Sequence, residues 1–270
     1  MIKIFFIAFF SMTISTFQAQ EIKVFHEEKK QGFVFYSDNN EMYPVSISLD
    51  FKVTNLIFSE GEKTIFVIPP KTKRFKIGEL NAVRPTRNTE FSYRYTMTMG
   101  DVTMSNYESS YEYDLPFSRG NEFEIFQGYN GKFSHQNENS LDFSMPEGTE
   151  ILSAREGKVV ELIQNNTKSC PREECNKYNN YITIMHADGS FAQYTHIKTN
   201  SSRYKIGDDV KKGDVIAYSG NVGWTSGPHL HFVCFLGGFG KWKTLETKFR
   251  INKGDQLAIL KEGNVYRRDY

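Results

Sequence analysis

Apolar residues recur at every second position through much of this chain. Val45, Ile47, Leu49 and Phe51 alternate with polar neighbours, and Phe91, Tyr93, Tyr95, Met97 and Met99 do the same before the turn pair Gly100-Asp101. Side chains on a strand point alternately to opposite faces, so this period predicts half-buried strands. A third run, Ile65-Phe66-Val67-Ile68, stops at Pro69-Pro70, because proline cannot donate to a ladder. Together these runs predict a small β-sandwich over residues 20–115. Past Asp114-Leu115-Pro116-Phe117 the texture becomes short apolar runs punctuated by glycine, the pattern of a compact antiparallel sheet. Its clearest strands are residues 182–185, 191–196 and 215–218, with Asp188-Gly189 as the hairpin turn between the first two. Residues 257–260 offer a closing strand. No long stretch carries a 3.6-residue apolar period, so the expectation is a mostly β protein with an N-terminal β-sandwich followed by a compact antiparallel β-sheet domain.

Composition supports that picture and excludes some partners. The chain has 270 residues, 39% of them hydrophobic, enough for a sizeable core, and its 15% aromatic content favours pleated surfaces. A formal net charge of +1 gives no excess that would draw it to nucleic acid or an anionic membrane. Met1-Ile2-Lys3, then an apolar run to Phe10 and small or polar residues to Ala19, has the layout of a secretory signal peptide, and the run is too short to span a bilayer. The expected organisation is therefore a signal peptide at 1–19, the sandwich at 20–115, a second domain at 116–250 and a C-terminal segment at 251–270, in a protein exported to the periplasm or beyond. Export permits disulfides, and Cys170 and Cys175, in a polar stretch that reads as a loop, are expected to pair. Cys234 reads as a small buried hydrophobe.

The chemistry gathers in the second domain. In Ser226-Gly227-Pro228-His229-Leu230-His231-Phe232, a strand would turn His229 and His231 to one face with Leu230 and Phe232 packed behind. Two imidazoles on one face begin a metal site, although strand geometry alone does not say which of them touches the ion. His135, His186, His196, His229 and His231 all lie in this half of the chain, whereas His26 stands alone near the N-terminus and reads as a solvated surface residue. Carboxylates are plentiful, and spacing does not select one.

Three ordered blocks closely resemble the lysostaphin-like (LytM-type) peptidoglycan metalloendopeptidases. They are Ser134-His135 with Asp142-Phe143-Ser144-Met145-Pro146-Glu147-Gly148-Thr149; Asn180-Tyr181-Ile182-Thr183-Ile184 with Tyr194-Thr195-His196; and Ser219-Gly220-Asn221-Val222-Gly223 with Gly227-Pro228-His229-Leu230-His231-Phe232. The likeness covers about residues 118–250. It implies one zinc ion held by His135, Asp142 and His231, with His196 and His229 as the unliganded catalytic pair. Members commonly place the aspartate four residues after the first histidine, where this chain has Asn139. Asp142 lies seven along, its register fixed by Pro146, Gly148 and Thr149, and Glu138 is the alternative. Tyr129 falls where some relatives place a tyrosine that donates to the tetrahedral intermediate, and a packing role is the other reading. His186, beside the Asp188-Gly189 turn, reads as structural. The resemblance implies hydrolysis of peptidoglycan stems or cross-bridges, with water made nucleophilic by zinc and a neutral imidazole taking its proton. A non-catalytic member that binds the wall or activates another hydrolase is the alternative.

Overall fold

The computed structural model describes residues 22–270, so the expected signal segment lies outside the described residues. Alternation in the N-terminal part produces two facing sheets. One orders its strands Ile22–Lys29, Gly32–Asn39, Thr72–Ala82 and Leu56–Phe58; the other orders Ile65–Ile68, Val45–Thr54 and Glu90–Met99. Phe35, Ile47, Leu49, Ile68 and Leu80 are almost wholly buried between them. His26 is exposed on its outer strand, with its ring resting against Phe33, Phe35, Phe91 and Tyr93.

The second part is built on a nine-stranded sheet. Its order is Asp209–Val210, Gly157–Ile163, Tyr181–Met185, Phe191–Thr195, Leu230–Leu236, Ser140–Phe143, Glu122–Gln127 and Val265–Arg267, with Lys243–Leu245 paired to Leu230–Leu236. The turn at Asp188-Gly189 joins Tyr181–Met185 to Phe191–Thr195 as the sequence predicts. C-terminal residues complete this unit: Gln256–Ala258 pairs with Lys248–Ile251, and Val265–Arg267 closes the edge beside Glu122–Gln127. The cysteine stretch read as a loop instead contains a two-residue strand, Ser169–Cys170, and a 3-10 helix, Glu173–Tyr178, closed by a Cys170–Cys175 disulfide. Ser169–Cys170 finds a parallel partner in Gly223–Trp224, a pairing no local pattern could disclose. Cys234 is free and buried, as expected.

Register decides what each face of the large sheet carries. On one face Leu141, Phe143, Ile182, Ile184, Ala192, Tyr194, Leu230, Phe232 and Cys234 form the main core. The opposite face is divided. At one end of the strands Phe191, Val233 and Phe235 are buried beneath Tyr43, Val45 and Met99 of the N-terminal unit, and Trp242 stacks on Phe235 at 3.9 Å. At the other end a single row crosses five neighbouring strands: Tyr181, Thr195, His231, Asp142 and Gln127, each paired with the next.

Candidate active site

Pairing of Ser140–Phe143 with Leu230–Leu236 sets Asp142 directly opposite His231, and His231 Nδ1 lies 2.9 Å from Asp142 Oδ1. His135 arrives from the turn after Glu122–Gln127, with Nε2 3.2 Å from His231 Nδ1 and 3.3 Å from Asp142 Oδ2. One ligand-competent atom from each of the three residues therefore lies within 4.8 Å of the other two. Zinc–donor bonds of about 2.1 Å place tetrahedral ligands about 3.4 Å apart, close to these separations. The donor set, two imidazoles and a carboxylate turned inward on one another, fits a divalent cation. Glu138 is not part of it; its carboxylate lies 3.3 Å from Lys241 Nζ.

Burial and hydrogen bonds shape the group's charge. Burial disfavours the Asp142 anion, but hydrogen bonds from His135 and His231 outweigh it and hold the carboxyl well below its ordinary range. Burial also disfavours a charged His135, and there too the hydrogen bond and charge of Asp142 prevail, raising its pKa. His231 is the most open of the group, with 21% of its side chain exposed against 1% for His135 and 5% for Asp142, so solvent and any ligand approach from its side.

The other two expected histidines lie beside this group of three without entering it. His229 Nε2 lies 3.9 Å from Asp142 Oδ1, and the rings of His196 and His229 are 4.5 Å apart. Burial, then the neighbouring His229 and His231, push His196 down to about 3; burial foremost also lowers His229. Both are neutral imidazoles at neutral pH. A shared device fixes their tautomers. Nδ1 of His135, His196 and His229 lies 3.0, 2.8 and 2.9 Å from the carbonyls of Gly128, Val222 and Gly227 respectively. Donation of the Nδ1–H of His196 and of His229 to a main-chain oxygen leaves the Nε2 lone pair of each free.

The Tyr129 hydroxyl is engaged by Thr247: it lies 2.8 Å from Thr247 Oγ1 and accepts the Thr247 N–H at 3.1 Å. His186 is buried with Nδ1 2.7 Å from the Glu156 carbonyl, the structural position expected of it. Two residues beside the site escaped the sequence reading. Gln127 donates to Asp142 Oδ2 at 2.9 Å, and Phe126, 44% exposed at a bulge, meets His229 edge-on with ring centres 5.2 Å apart. Nothing in their local sequence marks them, since both depend on the partner strand.

Residues 136–238, which include Asp142, His196, His229 and His231, match the model of peptidase family M23. The chain is 33% identical over 100 residues to the peptidoglycan DD-endopeptidase ShyA of Vibrio cholerae, across 37% of this chain and 20% of that protein. It is 31% identical over 139 residues to lysostaphin of Staphylococcus staphylolyticus, across 50% of this chain and 24% of that one. The matches thus span only a fifth to a quarter of these relatives' own lengths. Among solved structures, LytU is 32% identical and is covered over 83% of its chain and 51% of this one, with a TM-score of 0.33.

Proposed function

Residues 136–238 carry a peptidase family M23 domain, and on that premise we propose that the chain is an exported zinc endopeptidase that hydrolyses peptide cross-links of bacterial cell-wall peptidoglycan. The observation that carries the reading is the convergence of five side chains: His135, Asp142 and His231 as a ligand triad, with two neutral imidazoles beside it. The substrate class comes from relatives such as ShyA. Export rests on the N-terminal sequence pattern and on the disulfide, which persists in an oxidising compartment.

His135, Asp142 and His231 would hold the zinc. Bound there, it supplies Lewis acidity, bringing the pKa of water from about 16 towards 7 and polarising a scissile carbonyl. His229 accepts the proton of the attacking water at Nε2, because Nδ1 is committed to Gly227 and the ring faces Asp142. His196, held by Val222, orients water or steadies the developing oxyanion from its own Nε2. Phe126 packs edge-on against the His229 ring. Tyr129 braces the chain against Thr247. A module that only binds the wall would have no use for two further imidazoles with uncommitted lone pairs.

The test combines zinc analysis of the purified protein with mass spectrometry of muropeptides released from purified peptidoglycan. One zinc per chain and newly cut stem or bridge peptides are expected; metal-free, inert protein would instead favour the wall-binding alternative.

A further inference from the structure

One stretch of backbone aims both unliganded imidazoles. His196 Nδ1 meets the Val222 carbonyl at 2.8 Å, while His229 Nδ1 meets Gly227 O at 2.9 Å and Thr225 Oγ1 at 3.3 Å. Residues 222–227 therefore fix which ring nitrogen of each holds its proton.

That stretch depends on the disulfide segment for support. Its strand, Gly223–Trp224, belongs to a two-stranded sheet whose other member is Ser169–Cys170. Further rungs run from Gly223 N to Lys168 O at 2.8 Å and from Thr225 N to Cys170 O at 3.2 Å. The disulfide ties Cys170 to Cys175 in the 3-10 helix, whose capping residue Asn179 accepts the Trp224 N–H at 2.9 Å. The next residue, Asn180, accepts the N–H of Ile197, immediately after His196, at 3.3 Å. A Cβ on Gly223 would lie 1.9 Å from Asn179 Oδ1, so the two segments meet at a distance only glycine permits. His196 itself has φ +65°, a conformation that a non-glycine residue keeps only where its surroundings impose it. The ligand triad is supported elsewhere, through Gly128 and Gln127.

We propose that the disulfide-closed segment 168–180 is a positioning element for proton transfer: it holds residues 222–227, which hold the His196 and His229 rings, and it leaves metal binding untouched. Its effect on turnover rests on the peptidase reading; its effect on ring geometry does not.

Full-length protein carrying Cys170→Ser with Cys175→Ser, and separately Asn179→Ala, is compared with wild type by three measurements: zinc per chain, kcat and KM for muropeptide release, and nitrogen-15 spectra of the imidazoles. The expected result is full zinc, KM within about twofold, and kcat down about 10- to 100-fold. His196 should also pass from a single Nδ1–H tautomer to a mixture. Unchanged kcat and an unchanged His196 signature would overturn the proposal, as would loss of zinc in step with activity. Should the cysteine variant not fold, Asn179→Ala, which keeps the disulfide, decides. If wild type cuts no peptidoglycan, the peptidase reading falls, and the His196 spectra still decide on positioning.

Discussion

Gln127 faces Asp142 across the ladder and ties it to His135. Its amide nitrogen donates to Asp142 Oδ2 at 2.9 Å and to Ser134 Oγ at 2.8 Å, and its oxygen accepts the Ser134 N–H at 3.0 Å, one residue before His135. One carboxamide thus fixes two ligand-bearing elements and occupies one carboxylate oxygen. Gln127→Ala is expected to stay folded and to bind zinc about 10- to 100-fold more weakly in competition with a chelator. An unaltered affinity would mean that the carboxylate needs no such support.

The two histidines of the His229-Leu230-His231 run should separate cleanly. His231→Ala is expected to lose both zinc and turnover, whereas His229→Ala keeps zinc and loses about 10²- to 10⁴-fold in kcat. Zinc stoichiometry makes the matching distinction among carboxylates: Asp142→Asn should bind poorly and Glu138→Gln normally. Metal loss in His229→Ala would reverse the assignment of the pair.

His186 makes the fold acid-sensitive. Burial pushes its pKa down to about 4 from an ordinary value near 6.5. The unfolded chain then binds the extra proton first, so this contribution is complete above about pH 6.5 and is lost as pH falls towards 4. For so buried a ring the shift corresponds to about 3 kcal/mol. Melting temperature should decline over that window, and His186→Gln should decline less steeply.

Glu161 acts in the opposite direction. It closes a hydrogen-bonded line through Thr183 and Gln193 to Thr195, and burial, with Glu41 nearby, pushes its carboxyl up to about 7. A carboxyl raised in the folded state stabilises below its unfolded value of about 4.5, and that contribution disappears as pH rises through 7. Glu161→Gln is therefore expected to gain on the order of 1–2 kcal/mol relative to wild type at pH 8, and little at pH 4. Equal gains at both values in denaturant titrations would rule out ionisation as the cause.

The sequence was most readable where local rules and burial agree. Alternation at 45–51 and 91–99, the stop at Pro69-Pro70 and the Asp188-Gly189 hairpin all appear as strands and turns, because each depends on near neighbours. The histidine positions and Asp142 were legible through ordered motifs. What stayed hidden arises from partners far along the chain: the parallel rungs between Ser169–Cys170 and Gly223–Trp224, the closing edge at Val265–Arg267, and Gln127 behind Asp142. Tyr129 shows the same limit. Its position in the sequence suggested a donor, yet its hydroxyl is engaged by Thr247, which is 118 residues away.

Phe191, Val233 and Phe235 lie on strands that also deliver candidate-site residues, and their side chains are covered by Tyr43, Val45 and Met99. The half that carries the candidate site is consequently not portable. Expressed from residue 112 onward it would present Phe191, Val233 and Phe235 to water and self-associate, so the sheet residues that cover them act as a solubilising jacket for the larger sheet.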